Sequence, residues 1–157
     1  MKFLCDQMLG TLAKWMRIYG LDTFFAEGEI DDSKLIDICN KENRVMVTRD
    51  KNLISRAKRE NIETIEIKTT DIDEQIMKVI KGIKIESKLI LSRCILCNSL
   101  VEEVKKEKIK GKIPKKSYEN NKEFWYCKKC DKIYWKGSHF ENMIDKINQI
   151  KKSIEAS

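Results

Sequence analysis

The stretch that most constrains this chain is Arg44-Val-Met-Val-Thr48, which is apolar in its middle and closes abruptly on Arg49 and Asp50. Val45, Met46 and Val47 form a β-rich run short enough to be a buried strand, and helical patterns flank it. That combination reads as the centre of a parallel sheet. In open α/β sheets the ligand crevice lies beyond the carboxyl ends of the strands, so Asp50 is expected to project into it. Lys2-Phe-Leu-Cys5 is a second short apolar run, and it stops at Asp6. Two strands each closing on an aspartate suggest a shared acidic pocket.

The rest of the first half supports this frame. Residues 8–19 carry Leu9, Leu12, Ala13 and Met16 at helical spacing, with Gly20 placed to end the helix. Lys14 and Arg17 fall one turn apart on another face. That face is either simply solvated or borders the acidic pocket and holds a phosphate backbone. A short strand at 23–26 leads into an acidic loop, 27–32. A second helix, 33–41, places Leu35, Ile36 and Cys39 inward and puts Asp31 or Asp32 at its N-cap, where a carboxylate accepts from the open amides of the first turn. A third helix, 51–61, turns Leu53, Ile54 and Ala57 inward, so Asp50 can also be read as a cap. Caps do not account for Asp6. Residues 62–67 read as a fourth strand, and Asp71-Ile-Asp-Glu74 has capping-box spacing for a helix carrying Ile76, Val79 and Ile80 up to Gly82. This alternation with short connections predicts a three-layer α/β domain with a mostly parallel sheet. Residues 83–91 read as a connector or an edge strand.

The cysteines divide the chain. Four of the six fall as Cys94-x-x-Cys97 and Cys127-x-x-Cys130, while Cys5 and Cys39 sit inside apolar patterns as small core residues. Two such turns supply four sulfurs to a tetrahedral zinc, with an iron–sulfur cluster as the rival for the same ligands. A closed shell of four sulfurs leaves no open position, which makes the metal structural. The expected division is 1–90 for the α/β domain and 91–157 for a small β-rich module followed by a C-terminal helix. In that module, 100–104 and 123–126 read as strands, 105–116 as a lysine-rich loop ending near Pro114, and Phe140, Met143, Ile144 and Ile147 as one face of a helix. Ser138 and Glu141 form a capping box at its start, and His139, the single histidine, reads as a packing or capping-region residue. No basic-then-apolar leader and no apolar run of membrane-spanning length is present. A reducing, cytoplasmic setting is expected, in which paired cysteines bind metal more readily than they form disulfides.

The formal net charge of +7 is unevenly placed. Residues 1–90 hold 16 basic and 16 acidic side chains, whereas 91–157 hold 16 and 9, so all the excess is in the second part. Trp125, Tyr126, Tyr134 and Trp135 stand beside Lys128, Lys129, Lys132 and Lys136. Basic charge interleaved with aromatics suits a polyanion, by stacking on bases and neutralising phosphates, although alternate strand positions would also build a core.

Taken in order, Asp6, the basic first helix, the acidic loop, Thr48-Arg-Asp50 and the two CxxC pairs closed by Tyr134-Trp-Lys-Gly-Ser-His139 resemble the Mut7-C RNase family, a PIN-like nuclease domain followed by a zinc ribbon. The resemblance implies a ribonuclease with RNA as partner; with no apolar run of spanning length, no membrane is expected. It also implies carboxylates holding Mg²⁺ or Mn²⁺ beside the structural zinc. Carried over by position, those carboxylates are Asp6, Asp32 and Asp50, with Asp31 in place of Asp32 if the loop register shifts by one. A fourth acid is not placed; Asp71 and Asp73 lie nearest the right strand end. The chemistry is consistent, because three carboxylates in one pocket repel each other unless a hard cation compensates them, and such a cation activates water. Lys14, Arg17, Arg49 and Lys51 are the expected contacts to the RNA backbone. Two other classes compete: a non-catalytic RNA-binding or adaptor protein whose function lies in the zinc ribbon, and a phosphoacceptor domain built on Asp50. The second lacks the adjacent acidic pair after its first strand, since only Asp6 stands there.

Overall fold

The computed structural model describes residues 1–156. Contacts divide the chain into two compact units, one ending at Asn98 and the other beginning at Ser99.

The first unit runs β1 (Lys2–Cys5), α1 (Gly10–Ile18), β2 (Asp22–Phe25), α2 (Asp32–Glu42), β3 (Arg44–Thr48), α3 (Lys51–Arg59), β4 (Thr64–Glu66) and α4 (Ile72–Ile80). The four strands form one parallel sheet in the order β2-β1-β3-β4, with Leu4 level with Phe24 on one side and Met46 on the other. All five residues of β3 are buried, as a central strand covered on both faces requires. Side chains alternate across the sheet. Leu4 and Met46 pack with Leu35, Ile36 and Cys39 of α2 and with Leu53 and Ala57 of α3. Phe3, Cys5, Val45 and Val47 take the opposite face, where the Cys5 thiol donates to Met16 Sδ of α1 at 3.6 Å and α1 packs against α4. The result is the expected α/β arrangement of helices on both faces of a parallel sheet. Burial, reinforced by Asp6 next door, pushes the Cys5 thiol well above its ordinary pKa, so it acts as a small core residue rather than a nucleophile.

The chain leaves β1 for β2 and then crosses back to β3, so the direction of the sheet reverses between the carboxyl ends of β1 and β3. Asp6 follows β1 directly, and Asp50 follows β3 one residue later, after Arg49.

Residues 83–91 form a connector with a single 3₁₀ turn, Ser87–Leu89, and no edge strand. It is fixed against the end of α1: the Leu91 amide donates to the Ile18 carbonyl at 2.8 Å. Gly20, at φ +85°, lies so close to Leu89 that an added Cβ would stand 2.4 Å from its carbonyl oxygen, so only glycine fits there.

A charged network closes the amino end of β2 and β3. Arg44, buried, donates to Asp22 Oδ1 at 2.8 Å, to Glu42 at 2.9 Å and to the Phe3 carbonyl at 3.0 Å. Burial alone would raise the Asp22 carboxyl. Hydrogen bonds from Asn98 and Arg44, with the charges of Arg44 and Arg93, outweigh it and hold the pKa below the usual carboxylate value. A lowered folded pKa means stability that is present above the unfolded value and is lost as pH falls through the folded one. Asp22→Asn should therefore destabilise by about 1–3 kcal/mol at neutral pH. Its deficit against the parent should narrow below about pH 4. Denaturant unfolding at pH 7 and pH 3 measures both.

The second unit holds β5 (Glu102–Val104), α5 (Lys115–Asn120), β6 (Phe124–Cys127), β7 (Lys132–Trp135) and α6 (Ser138–Ala156), with a 3₁₀ turn at Lys106–Ile109. Its three strands form an antiparallel sheet in the order β5-β6-β7. Phe124, Ile109, Cys127, Tyr134, Ile147 and Ile150 are buried. The helix α5 occupies part of the segment expected to be a lysine-rich loop. Pro114 stands at its N-cap, and Tyr118 stacks on Phe124 with centroids 6.3 Å apart. Among the described residues no helix is long and apolar enough to cross a membrane.

Candidate functional site

The acidic pocket lies in the first unit, at the carboxyl edge of the sheet. It has a volume of about 100 Å³ and is lined by Asp6, Gln7, Met8, Ala26, Gly28, Ile30, Asp32, Leu35, Asp50 and Leu53. Three aspartates from three separate connections therefore share one cavity. Asp6 is 6% exposed: its Oδ1 accepts from the Met8 amide at 3.0 Å and its Oδ2 from the Thr48 hydroxyl. The Thr48 hydroxyl in turn accepts from the Asp50 amide at 3.0 Å, so one threonine ties Asp6 to Asp50 across the ends of β1 and β3. Asp50 Oδ1 caps α3 through the amides of Asn52 and Leu53. Asp50 also lines the pocket.

Of the neighbouring acids, Asp31 is the N-cap of α2, accepting from the Ser33 amide at 3.0 Å, and Asp32 is the one that lines the pocket. Asp71 caps α4, and neither it nor Asp73 is in the lining. The three pocket carboxylates do not close into a ligand shell of their own: among the described residues, the cysteine cluster alone brings together three or more potential metal-binding atoms closely enough.

The basic residues separate. Lys14 and Lys51 are exposed, and Arg49 is half-buried, reaching the Thr69 carbonyl at 3.4 Å. Arg17 is placed otherwise than its expected role requires. It is 7% exposed, donating through Nε to the Thr23 carbonyl and through a terminal nitrogen to the Ile95 carbonyl, both at 2.9 Å. Burial lowers its pKa, against the opposing pull of Cys97, Cys5, Cys94 and Glu27. A guanidinium so engaged works inside the protein. Arg56, unremarked in the sequence, donates to the Ser33 hydroxyl at 2.8 Å and lies 4.0 Å from Asp32 Oδ2, beside the pocket. Gln7 and Met8 were likewise not singled out, and Thr48 only as part of the Thr48-Arg-Asp50 motif, with no role of its own. Thr48 had a signal, since it closes the central strand two residues before Asp50. Arg56 had none that separates it from an ordinary solvated arginine.

The second site is the cysteine cluster. The sulfurs of Cys94, Cys97, Cys127 and Cys130 all lie within 4.8 Å of one another. A tetrahedral zinc with 2.3 Å bonds needs sulfurs about 3.8 Å apart, so this set fits zinc with little adjustment. The first pair sits on a tight turn closed by the Asn98 amide on the Cys94 carbonyl at 2.9 Å, with Asn98 at φ 72°. The second pair brackets the turn between β6 and β7, where Asp131 takes φ 51°. His139 is exposed in the first turn of α6.

The aromatics near the second pair differ in exposure. Phe124 and Tyr134 are buried, and Trp125, Tyr126 and Trp135 are half-buried. Lysines lie over several of these rings: Lys136 is 5.2 Å from the centroids of both Trp125 and Phe140, and Lys132 is 5.5 Å from that of Tyr134.

The chain thus combines a parallel α/β unit that has an acidic pocket at its switch point with four cysteines close enough to bind a metal. The family described as Mut7-C RNAse domain matches residues 1–147, and the chain belongs to it. Membership points to a nuclease with RNA as its substrate. No curated protein and no solved structure matches the chain.

Proposed function

We propose that this protein is a PIN-like, divalent-metal-dependent ribonuclease that hydrolyses RNA phosphodiester bonds in the pocket of Asp6, Asp32 and Asp50. The observation that carries the reading is the lining of that pocket. Residues 26 and 18 positions apart in the chain meet at the one edge of the sheet where α/β proteins bind ligands. All three are oxygen donors, which suits Mg²⁺ or Mn²⁺. Mg²⁺ retains several of its waters, so the carboxylates need not all touch it and need not form a closed shell. When bound, such an ion supplies Lewis-acid activation of a water and compensates charge on the phosphate.

The chain's own residues do the rest. The Thr48 hydroxyl holds Asp6 in a fixed orientation, and the α3 cap holds Asp50. Lys14, Arg49 and Lys51 remain as contacts to the RNA backbone, and Arg56 beside Asp32 takes the place that Arg17 vacates. No pair of histidines exists for metal-independent acid–base cleavage, since His139 is single. The four cysteines form a structural zinc ribbon, whose half-buried aromatics and lysines assist RNA binding. A reducing, cytoplasmic compartment suits those thiolates.

A second reading is a non-catalytic RNA binder. It is favoured by the local work each carboxylate already does, Asp6 capping the 3₁₀ turn after β1 and Asp50 capping α3. Metal dependence separates the two. Cleavage of single-stranded RNA should vanish on exchange into metal-free buffer and return with Mn²⁺, with RNA retention unaffected. Retention without cleavage under any divalent ion would favour the binder.

A further inference from the structure

The first cysteine turn does more than carry two sulfurs. In the sheet order β2 is an edge strand, and every second residue of an edge strand turns both its N–H and its C=O away from the sheet. Thr23 is such a residue. Its amide donates to Asn98 Oδ1 at 3.0 Å, and its carbonyl accepts from Arg17 Nε at 2.9 Å. Arg17 bonds the Ile95 carbonyl with its other arm, while Asn98 Nδ2 donates to Asp22 Oδ1 at 2.8 Å. Thr23 itself is 0% exposed, so each of these partners replaces a lost water.

We infer that the turn Cys94–Asn98 is a latch that closes the exposed edge of the parallel sheet at β2, with Asn98 and Arg17 as positioning residues coupling the metal site to that strand. Residues 95 and 98 hold their bonding positions because the turn between the two cysteines is tight, and a metal on Cys94 and Cys97 keeps it so. Residues that orient a metal-bearing loop act on the metal in return. The strand β2 runs on into the acidic loop that delivers Asp32 to the pocket, which makes zinc occupancy a condition for a well-formed pocket wall. The inference does not depend on the nuclease reading.

The test uses the full chain and no activity assay. Amide hydrogen exchange is followed at Thr23 and at Met46 of the central strand, before and after zinc is removed with a chelator. Zinc release to a coloured chelator is timed in parallel for the parent and for Asn98→Gly. Glycine retains the left-handed backbone at position 98 and deletes both side-chain bonds. The latch requires Thr23 to exchange at least about tenfold faster without zinc while Met46 stays protected. It also requires Asn98→Gly to release zinc about tenfold faster than the parent. Unchanged exchange at Thr23, equal loss of protection at Met46, or a parental release rate in the variant would each overturn it.

Discussion

Asp6→Asn is expected to lower the rate of RNA cleavage about a thousandfold, equivalent to about 4 kcal/mol of transition-state stabilisation, while the protein stays folded. The substitution is nearly isosteric. An asparagine oxygen can still accept from the Met8 amide, and its NH₂ can donate to the Thr48 hydroxyl, so the turn after β1 retains its cap. What disappears is the carboxylate, the most buried of the three in the pocket. Asp50→Asn should behave alike, because asparagine caps a helix as well as aspartate does and the bonds from Asn52 and Leu53 survive. Single-turnover cleavage, read beside the melting temperature, measures the split. A large fall in rate with a shift of only a few degrees is the expected result, and parental rates in both variants would end the catalytic reading.

Cys127→Ser should unfold most of the second unit. That unit has fewer than 60 residues and few buried side chains, too little core to stand by burial alone. Zinc contributes roughly 10 kcal/mol or more in modules of this size, which exceeds the whole stability of many small domains. Cys127 is 1% exposed and follows Phe124, Trp125 and Tyr126 in β6, so the loss falls on the aromatic core. Elemental analysis of the parent should give one zinc per chain. In the variant, the fluorescence of Trp125 and Trp135 should shift to the red and the amides of Phe124–Cys127 should lose protection, while β3 retains it. A parent carrying neither zinc nor iron would remove the four-sulfur argument.

Much of this was legible in the residues because local periodicity decided it. Val45-Met-Val47 is too apolar to lie anywhere but the centre of the sheet. Asp6 and Asp50 declare themselves by where their strands stop, and the cysteine pairs by their spacing. The contacts that escaped detection join segments distant in sequence. Arg17 lies one residue beyond Met16 and four beyond Ala13, on the flank of the apolar stripe. Whether that flank meets water or protein depends on Ile95, 78 positions away. The first cysteine turn falls in the unit that ends at Asn98, where the cysteine pairs suggested a division at 90/91. The short helix α5 escaped for a similar reason: six residues rich in lysine hold as a helix because Tyr118 stacks on a phenylalanine that arrives later in the chain. Asp32 was distinguished from Asp31 only by position in the resemblance, since both begin a helix; packing puts one in the cap and the other in the pocket.

The central claim reduces to where a divalent ion binds. A crystal of the full chain soaked in Mn²⁺ would locate it by anomalous scattering. The account predicts a peak in the pocket with oxygens of Asp6 and Asp50 at about 2.1 Å and Asp32 in contact directly or through a water. A pocket that stays empty at millimolar Mn²⁺, with Asp6 still held only by Thr48 and Met8, would contradict it.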